Sequence, residues 1–442
     1  MGRVTIRLDD LPLRDDLRGL TPYGAPQAPL PVALNVNENT HPVPREVADD
    51  ILDAIGRALG EINRYPDREF RELREGFAEY LRHGLVADQI WAANGSNEVL
   101  QHVLQAFGGP GRRAFGFAPT YSMYPLLTRA TGAEWVSGSR GADYTVDAVS
   151  AVDQIAAADP DIVFLCAPNN PTGTPMSLEV IEAAYEATRG IVIVDEAYFE
   201  FAPRTAPSAL SLLPGRERLL VSRTMSKAFA FAGARVGYLA ADPAVIDALR
   251  LVRLPYHLSS LTQAAALAAL AHAPVMLQMV DEIVMQRDRI SATVEALGYR
   301  AYESWTNFVL FSGVEDPGRT WQQLYDRGIL VRDIGIPRSL RVSAGTAEET
   351  PSLSVTHIRP LPPVWASRST SPYCTTGPTW STGDTHPLGV LNESSERMSS
   401  APVCTTHSCV LAVNRSVAEK PDRSTVRLST TVTAVGCAPS SR

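Results

Sequence analysis

The sequence predicts an α/β fold, a mainly parallel central sheet flanked by helices with a smaller α+β domain beside it. Three observations predict it. From about residue 45 to 350, helical hydrophobic periods alternate with short β-rich runs. The runs Ile162–Leu165 and Ile191–Val194 are apolar at every position, as in strands covered by helices on both faces. At 442 residues the chain exceeds what one core ordinarily serves, so two packed domains are expected.

Taken in order, the strands fall at Gln89–Ala93, Arg113–Phe117, Asp161–Ala167, Ile191–Val194, Leu219–Arg223 and Arg235–Ala240. Helical periods occupy Arg45–Leu59, Glu69–Arg82, Asn97–Phe107, Leu178–Thr188 and Pro243–Arg253, with a long one over Ser260–Leu297 broken near Pro274. In open parallel sheets, ligands gather beyond the carboxyl ends of strands. The turn Asn169-Asn-Pro-Thr-Gly173, Asp195 and the loop around Lys227 each follow a strand, so they can converge on one crevice.

Composition excludes several function classes. With 40 Lys+Arg against 48 Asp+Glu, the net charge of −8 offers no global attraction to nucleic acid or anionic membrane. Anionic small molecules must therefore be caught by local arginines. The N-terminus carries charges where a secretory signal needs an apolar core, and the most apolar stretch, 264–280, is interrupted by His272 and Pro274. A soluble cytoplasmic protein without a membrane partner is expected. Cys166 alone precedes residue 350 and no cysteine has metal-site spacing, so a reducing compartment and no metal are expected.

Residues 351–442 differ in kind. Ser, Thr and Pro make up about two fifths of them and no hydrophobic period persists, the composition of a disordered segment.

The chemistry gathers on a few polar residues. Asn94-Gly-Ser-Asn-Glu98 ends a strand and opens a helix, so its free N–H groups and Ser96 can cup a phosphate; it reads equally as an ordinary helix cap. Asp195 follows four β-branched residues, which sinks its carboxylate to the floor of the crevice, where a protonated pyridine nitrogen is a fitting partner. The alternative is a strand-ending Asp that caps the next segment. Pro168-Asn-Asn-Pro-Thr-Gly173 could be only a turn. Lys227 is a candidate imine-forming lysine, although a loop lysine is ordinarily solvated surface. Arg235, with Thr224 and Ser226, suits phosphate oxygens. Together these are the parts needed to hold pyridoxal phosphate, with Asn170 and Tyr198 as donors to its phenolic oxygen.

Nine short motifs occur in an order that resembles the fold-type I aminotransferases that use pyridoxal phosphate, the histidinol-phosphate aminotransferases above all. They are Asn35-Val-Asn-Glu-Asn39, Arg64-Tyr-Pro-Asp67, Asn94-Gly-Ser-Asn-Glu98, Ala118-Pro-Thr-Tyr-Ser122, Pro168-Asn-Asn-Pro-Thr-Gly173, Val194-Asp-Glu-Ala-Tyr198, Arg223-Thr-Met-Ser-Lys-Ala-Phe229, Ala232-Gly-Ala-Arg-Val-Gly237 and Leu340-Arg-Val-Ser-Ala-Gly-Thr346. The resemblance covers about residues 10–350. It implies Lys227 as the cofactor lysine, Asp195 as the pyridinium partner, Asn170 and Tyr198 as phenolic donors, and Tyr121 stacked on the ring. It puts Ser96, Asn97, Thr224, Ser226 and Arg235 around the phosphate, joined by Tyr65 from a second subunit, which makes a homodimer obligatory. Arg341 would bind the anionic end of the substrate, with Asn39 near it at the mouth. Arg332 reads equally as a second anion binder or a surface ion pair.

The implied chemistry is ping-pong transamination between L-histidinol phosphate and 2-oxoglutarate, in histidine biosynthesis. Rivals are an aromatic amino acid aminotransferase, a decarboxylase of a phosphorylated amino acid, and a non-catalytic protein on the same fold. The expected divisions are an N-terminal arm at 1–44 serving the small domain and dimer, a large cofactor-binding domain at 45–250, a small domain at 251–350 and the tail at 351–442. The family has a closing helix after residue 350 that this chain lacks. A shifted reading frame explains the abrupt change; a genuine appended tail is the rival.

Overall fold

The computed structural model of the chain describes residues 7–22, 24 and 26–350. Its strands are β1 (Val32–Ala33), β2 (Ile90–Ala93), β3 (Arg113–Ala118), β4 (Glu134–Ser139), β5 (Ile162–Cys166), β6 (Ile191–Asp195), β7 (Leu219–Thr224), β8 (Gly237–Ala240), β9 (Arg300–Ala301), β10 (Phe308–Ser312), β11 (Ile329–Leu330) and β12 (Ser339–Ser343). Its helices are α1 (Arg45–Leu59), α2 (Arg71–Leu81), α3 (Ser96–Phe107), α4 (Met123–Ala130), α5 (Ala148–Ala158), α6 (Leu178–Glu186), α7 (Pro243–Val252), α8 (Ser260–Ala271), α9 (Ala273–Met276), α10 (Gln278–Ala296) and α11 (Pro317–Tyr325). The expected tail at 351–442 lies outside the described residues.

Seven strands form the main sheet in the order β2-β8-β7-β6-β5-β3-β4. Only β8 runs antiparallel to its neighbours. Every residue of β5, β6 and β7 is buried. Successive strand side chains face opposite sides, so both faces of the sheet are covered. β6 takes the middle position, as its apolar sequence predicts. A buried ion pair joins the ends of β6 and β7: Arg223 Nη2 lies 2.8 Å from Glu196 Oε2, with both side chains under a tenth exposed.

Local chemistry sets the helix starts. Asp147, Ser177, Asp242 and Asp316 each accept a backbone N–H from the first turn of the helix that follows. Pro243 and Pro317 sit where the missing N–H has no helical partner to lose.

The long helical period expected over Ser260–Leu297 divides at His272 into rods that turn by 80°. Pro274 begins the short α9, where its ring fits the first turn. Strand β4 and helices α4, α5 and α11 were not legible in the periods. β4 alternates exposed and half-covered residues at the edge of the sheet, which leaves little apolar signal.

A second, antiparallel sheet has the order β12-β10-β9, and β1 pairs in parallel with β11. Residues 32–37 thus join the C-terminal part of the described chain: Ser343 N donates to Leu34 O at 2.9 Å. Among the described residues no single helix is long and apolar enough to cross a membrane, and no group of His, Cys, Asp or Glu is arranged to hold a metal ion.

Gly237 opens β8 where the strand meets the start of α3. A Cβ there would stand 2.1 Å from Ser96 N and 2.3 Å from Gly95 C, both backbone atoms. Gly237→Ala is expected to destabilise the protein by about 1–3 kcal/mol through this overpacking. A thermal melt with an unchanged midpoint would contradict it.

Candidate active site

The carboxyl ends of β2, β3, β5, β6 and β7 deliver their following loops to one cleft of about 240 Å³. Every predicted site residue lines it except Tyr65 and Asn39. A larger open groove, of about 890 Å³, lies between α2, α8 and the segment around Phe199 and holds none of the predicted residues. Its size reflects a gap between helices rather than converging polar groups.

Asp195 closes β6 at the floor of the cleft, 2% exposed. Tyr124 Oη donates to its Oδ2 at 2.8 Å and Ser222 Oγ to its Oδ1 at 3.1 Å. Burial raises its pKa despite these donors, and no ion pair reaches it among the described residues. Three residues on, Tyr198 is buried with its pKa pushed up by burial. Its hydroxyl accepts from Asn37 Nδ2 at 3.0 Å and Asn170 Nδ2 at 3.5 Å.

Lys227 follows β7 and is half-buried, its Nζ donating to Val36 O at 3.3 Å. Burial first, then the cations Arg341 and Arg235, lower its pKa from 10.5 to about 8, against a smaller opposing pull from Glu38. The amine is therefore far closer to its nucleophilic form at neutral pH than an exposed lysine.

The phosphate-side candidates cluster at the start of α3. Ser96 and Asn97 are its first residues, with Gly95 before them and Glu98 reaching back to the Asn94 N–H at 2.6 Å. Arg235 has φ 57° and donates to Ser226 Oγ at 3.3 Å. A Cβ on Gly95 would lie 2.3 Å from the Arg235 guanidinium, so bare glycine lets that cation rest on the helix start. Thr224 Oγ1 accepts from Ser226 N at 3.1 Å, folding the loop toward the same end. Tyr121 stands above, its hydroxyl donating to Asn97 Oδ1 at 3.1 Å.

The opposite wall comes from β12. Arg341 is 7% exposed, donates to Asn170 Oδ1 at 2.6 Å and to Asn35 O at 2.9 Å, and lies over the Phe308 ring. Arg332 exchanges backbone hydrogen bonds with Arg341 and lines the cleft with no ion pair among the described residues. Asn39 sits beside the cleft loop, its Nδ2 donating to Ala228 O at 3.3 Å. Tyr65 is 80% exposed and stacks on Tyr256, away from the cleft of its own chain. Asn37, Tyr124, Ser222 and Cys166 escaped sequence reasoning as contributors. Tyr124 had a signal, three residues after Tyr121 at the start of a helix; Asn37 lay inside a quoted motif without a role.

The fold and this cleft define an amino-group transferase built on an open α/β sheet. The chain belongs to the aminotransferase class I and II family, whose sequence pattern matches residues 31–354. A histidinol-phosphate aminotransferase of Paenarthrobacter aurescens (strain TC1) is 62% identical over 347 residues, spanning 78% of this chain and 93% of that protein. One of Thermobifida fusca (strain YX) is 53% identical over 352 residues, spanning 79% and 95%. The crystal structure of histidinol-phosphate aminotransferase from Sinorhizobium meliloti in complex with pyridoxal-5'-phosphate has a TM-score of 0.66 and 25% identity, covering 73% of this chain and 89% of that one.

Pyridoxal phosphate is the cofactor of this family, and the residues present fit it. A buried carboxylate without a cation complements a protonated pyridine nitrogen. The helix start with Ser96, Ser226 and Arg235 supplies N–H, O–H and guanidinium donors, a set suited to a phosphate dianion. The low Lys227 pKa gives a testable sign. Capture of pyridoxal phosphate by the apo-protein needs the neutral amine, so its rate should climb as pH rises and level off above about 8. Following near-visible absorbance, with borohydride trapping at Lys227, reads this. A rate still climbing steeply beyond pH 10 would contradict it.

Proposed function

We propose that this chain transfers an amino group between L-histidinol phosphate and 2-oxoglutarate, within histidine biosynthesis in the cytoplasm, as a homodimer. The observation that carries the reading is the cleft itself: an activated Lys227 facing two arginines, Arg341 and Arg332, bound to each other through their backbones. The names of relatives 51–62% identical over most of the chain support the substrate. A substrate pair of which one member carries a phosphate and the other carboxylates requires cationic forks that match both anions.

Lys227 would hold the cofactor covalently and Asp195 would pair with its ring nitrogen. Ser96, Asn97, Thr224, Ser226 and Arg235 would hold its phosphate, together with the partner subunit's Tyr65. Tyr121 would cover the ring face, and Asn170 and Tyr198 would bond its phenolic oxygen. When bound, the group supplies an electron sink for the bond broken at the substrate carbon. Lys227, once displaced by the incoming amine, moves the proton from that carbon. Asp195 keeps its charge opposite the ring nitrogen because Tyr124 and Ser222 hold both carboxylate oxygens. Arg341 orients the anionic end of the substrate, with Arg332 and Asn39 beside it.

The exposed apolar residues Tyr65, Leu251 and Leu254, at 80%, 86% and 75% exposure, support burial in a dimer. The proposal includes the division into arm 1–44, large domain 45–250 and small domain 251–350, with a frame-shifted segment beyond. The family match ends at residue 354, close to the change of composition.

Amino-transfer assays with histidinol phosphate and phenylalanine as competing donors test the reading. Preference for phenylalanine, or release of carbon dioxide, would overturn the substrate assignment. Lys227→Arg is expected to abolish turnover. Arg341→Ala should lower kcat/KM roughly 100-fold for both half-reactions, equivalent to about 2.7 kcal/mol of lost transition-state binding. Loss in one half-reaction alone would show that one arginine does not serve both anions.

A further inference from the structure

Asn37 lines the cleft, 2% exposed, in the left-handed backbone conformation with φ 56°. Asparagine is one of the few L residues that adopts it readily. Its backbone N–H donates to Ser343 Oγ at 3.0 Å. The serine's own proton then donates to Asn37 Oδ1 at 2.9 Å. With Oδ1 occupied by a donor, the other end of the amide must be the nitrogen, and it donates to Tyr198 Oη at 3.0 Å. Asn307 Nδ2 clamps the backbone from the other side, donating to Asn37 O at 3.0 Å.

Asn170 is locked in the same sense. Arg341 Nη1 fills its Oδ1 at 2.6 Å, which leaves Nδ2 facing Tyr198 Oη at 3.5 Å. Two N–H donors therefore converge on one phenol oxygen. The only hydrogen bond Tyr198 has left to give is through its own proton.

We infer that Asn37, oriented by Ser343, is a positioning residue that makes the Tyr198 hydroxyl a donor toward the cleft, where the phenolic oxygen of pyridoxal phosphate would accept it. The inference rests on the cofactor reading and deepens it. It ties the strap at 35–39 and strand β12 to the protonation of the bound cofactor. The charged and titratable groups facing Tyr198 are Arg341, Tyr121, Cys166 and Lys227, whose Nζ lies 5.9 Å from the ring centroid. The substitutions below alter none of them.

Asn37→Asp keeps the shape and tolerates positive φ, but its carboxylate can only accept, so the tyrosine proton turns away from the cleft. A proton donated to the phenolic oxygen favours its anionic form, and losing that donor makes the chromophore hold its own proton to higher pH. The pH midpoint of the near-visible absorbance of the holoenzyme should rise by about one unit, with pyridoxal phosphate bound roughly tenfold more weakly. Ser343→Ala, which removes the orienting hydroxyl without adding charge, should shift the midpoint the same way by less, and Ser343→Thr should restore it. In a Tyr198→Phe background the Asn37→Asp shift should vanish apart from a small direct effect of charge. An unmoved midpoint in Asn37→Asp and Ser343→Ala with cofactor bound overturns this inference alone. An equal shift without the tyrosine hydroxyl does the same. A wild-type chain that binds no pyridoxal phosphate overturns the cofactor reading as well.

Discussion

The carboxylate of Asp195 is the group around which the rest of the structure is arranged. It stands at the end of the middle strand of a seven-stranded sheet whose neighbouring strands are buried throughout. A charge in that position is costly unless something opposes it. Tyr124 and Ser222 each give it one hydrogen bond, yet burial still wins and its pKa rises. A cationic ring nitrogen supplies what two neutral donors do not. The sheet thereby creates an electrostatic demand that a protonated pyridine meets.

The remaining side chains arrive by the same geometry. Parallel strands put their carboxyl ends on one edge, so the loops after β2, β3, β5, β6 and β7 reach a common cleft although their residues are scattered from 94 to 227. Glycine at 95 and 237 allows the closest approach, of α3 to β8 and to the Arg235 guanidinium. The Glu196–Arg223 ion pair ties the end of β6 to the end of β7, holding Asp195 and Thr224 in register beneath the cofactor loop. The second wall is made by β12, and Asn170 is the hinge between them, linked to Arg341 on one side and to Tyr198 on the other.

Much of this was legible in the chain. The apolar runs at Ile162–Leu165 and Ile191–Val194 marked buried strands, and the polar residues that followed them marked the cleft, because the end of a buried strand is where a side chain must either leave the core or be paired. Edge strand β4 was not legible, since its residues alternate only between exposed and half-covered. The short strands β1 and β11, of two residues each, carry too little pattern to be read. Asn37 was quoted within a motif but had no role, since its function lies in a contact with Tyr198, 161 residues away.

The sequence by itself determined the fold class, the identity of the cofactor and the residues able to hold it, because residue type and local spacing specify strands, helix starts and reactive groups. Tertiary structure alone decided which hydrogen-bond donors fill which acceptors. The directions of the Asn37 and Asn170 amides, the lowered pKa of Lys227 and the pairing of Arg332 with Arg341 arise from segments distant in sequence and adjacent in space. Burial and orientation are properties of neighbours, and a linear chain does not name its neighbours.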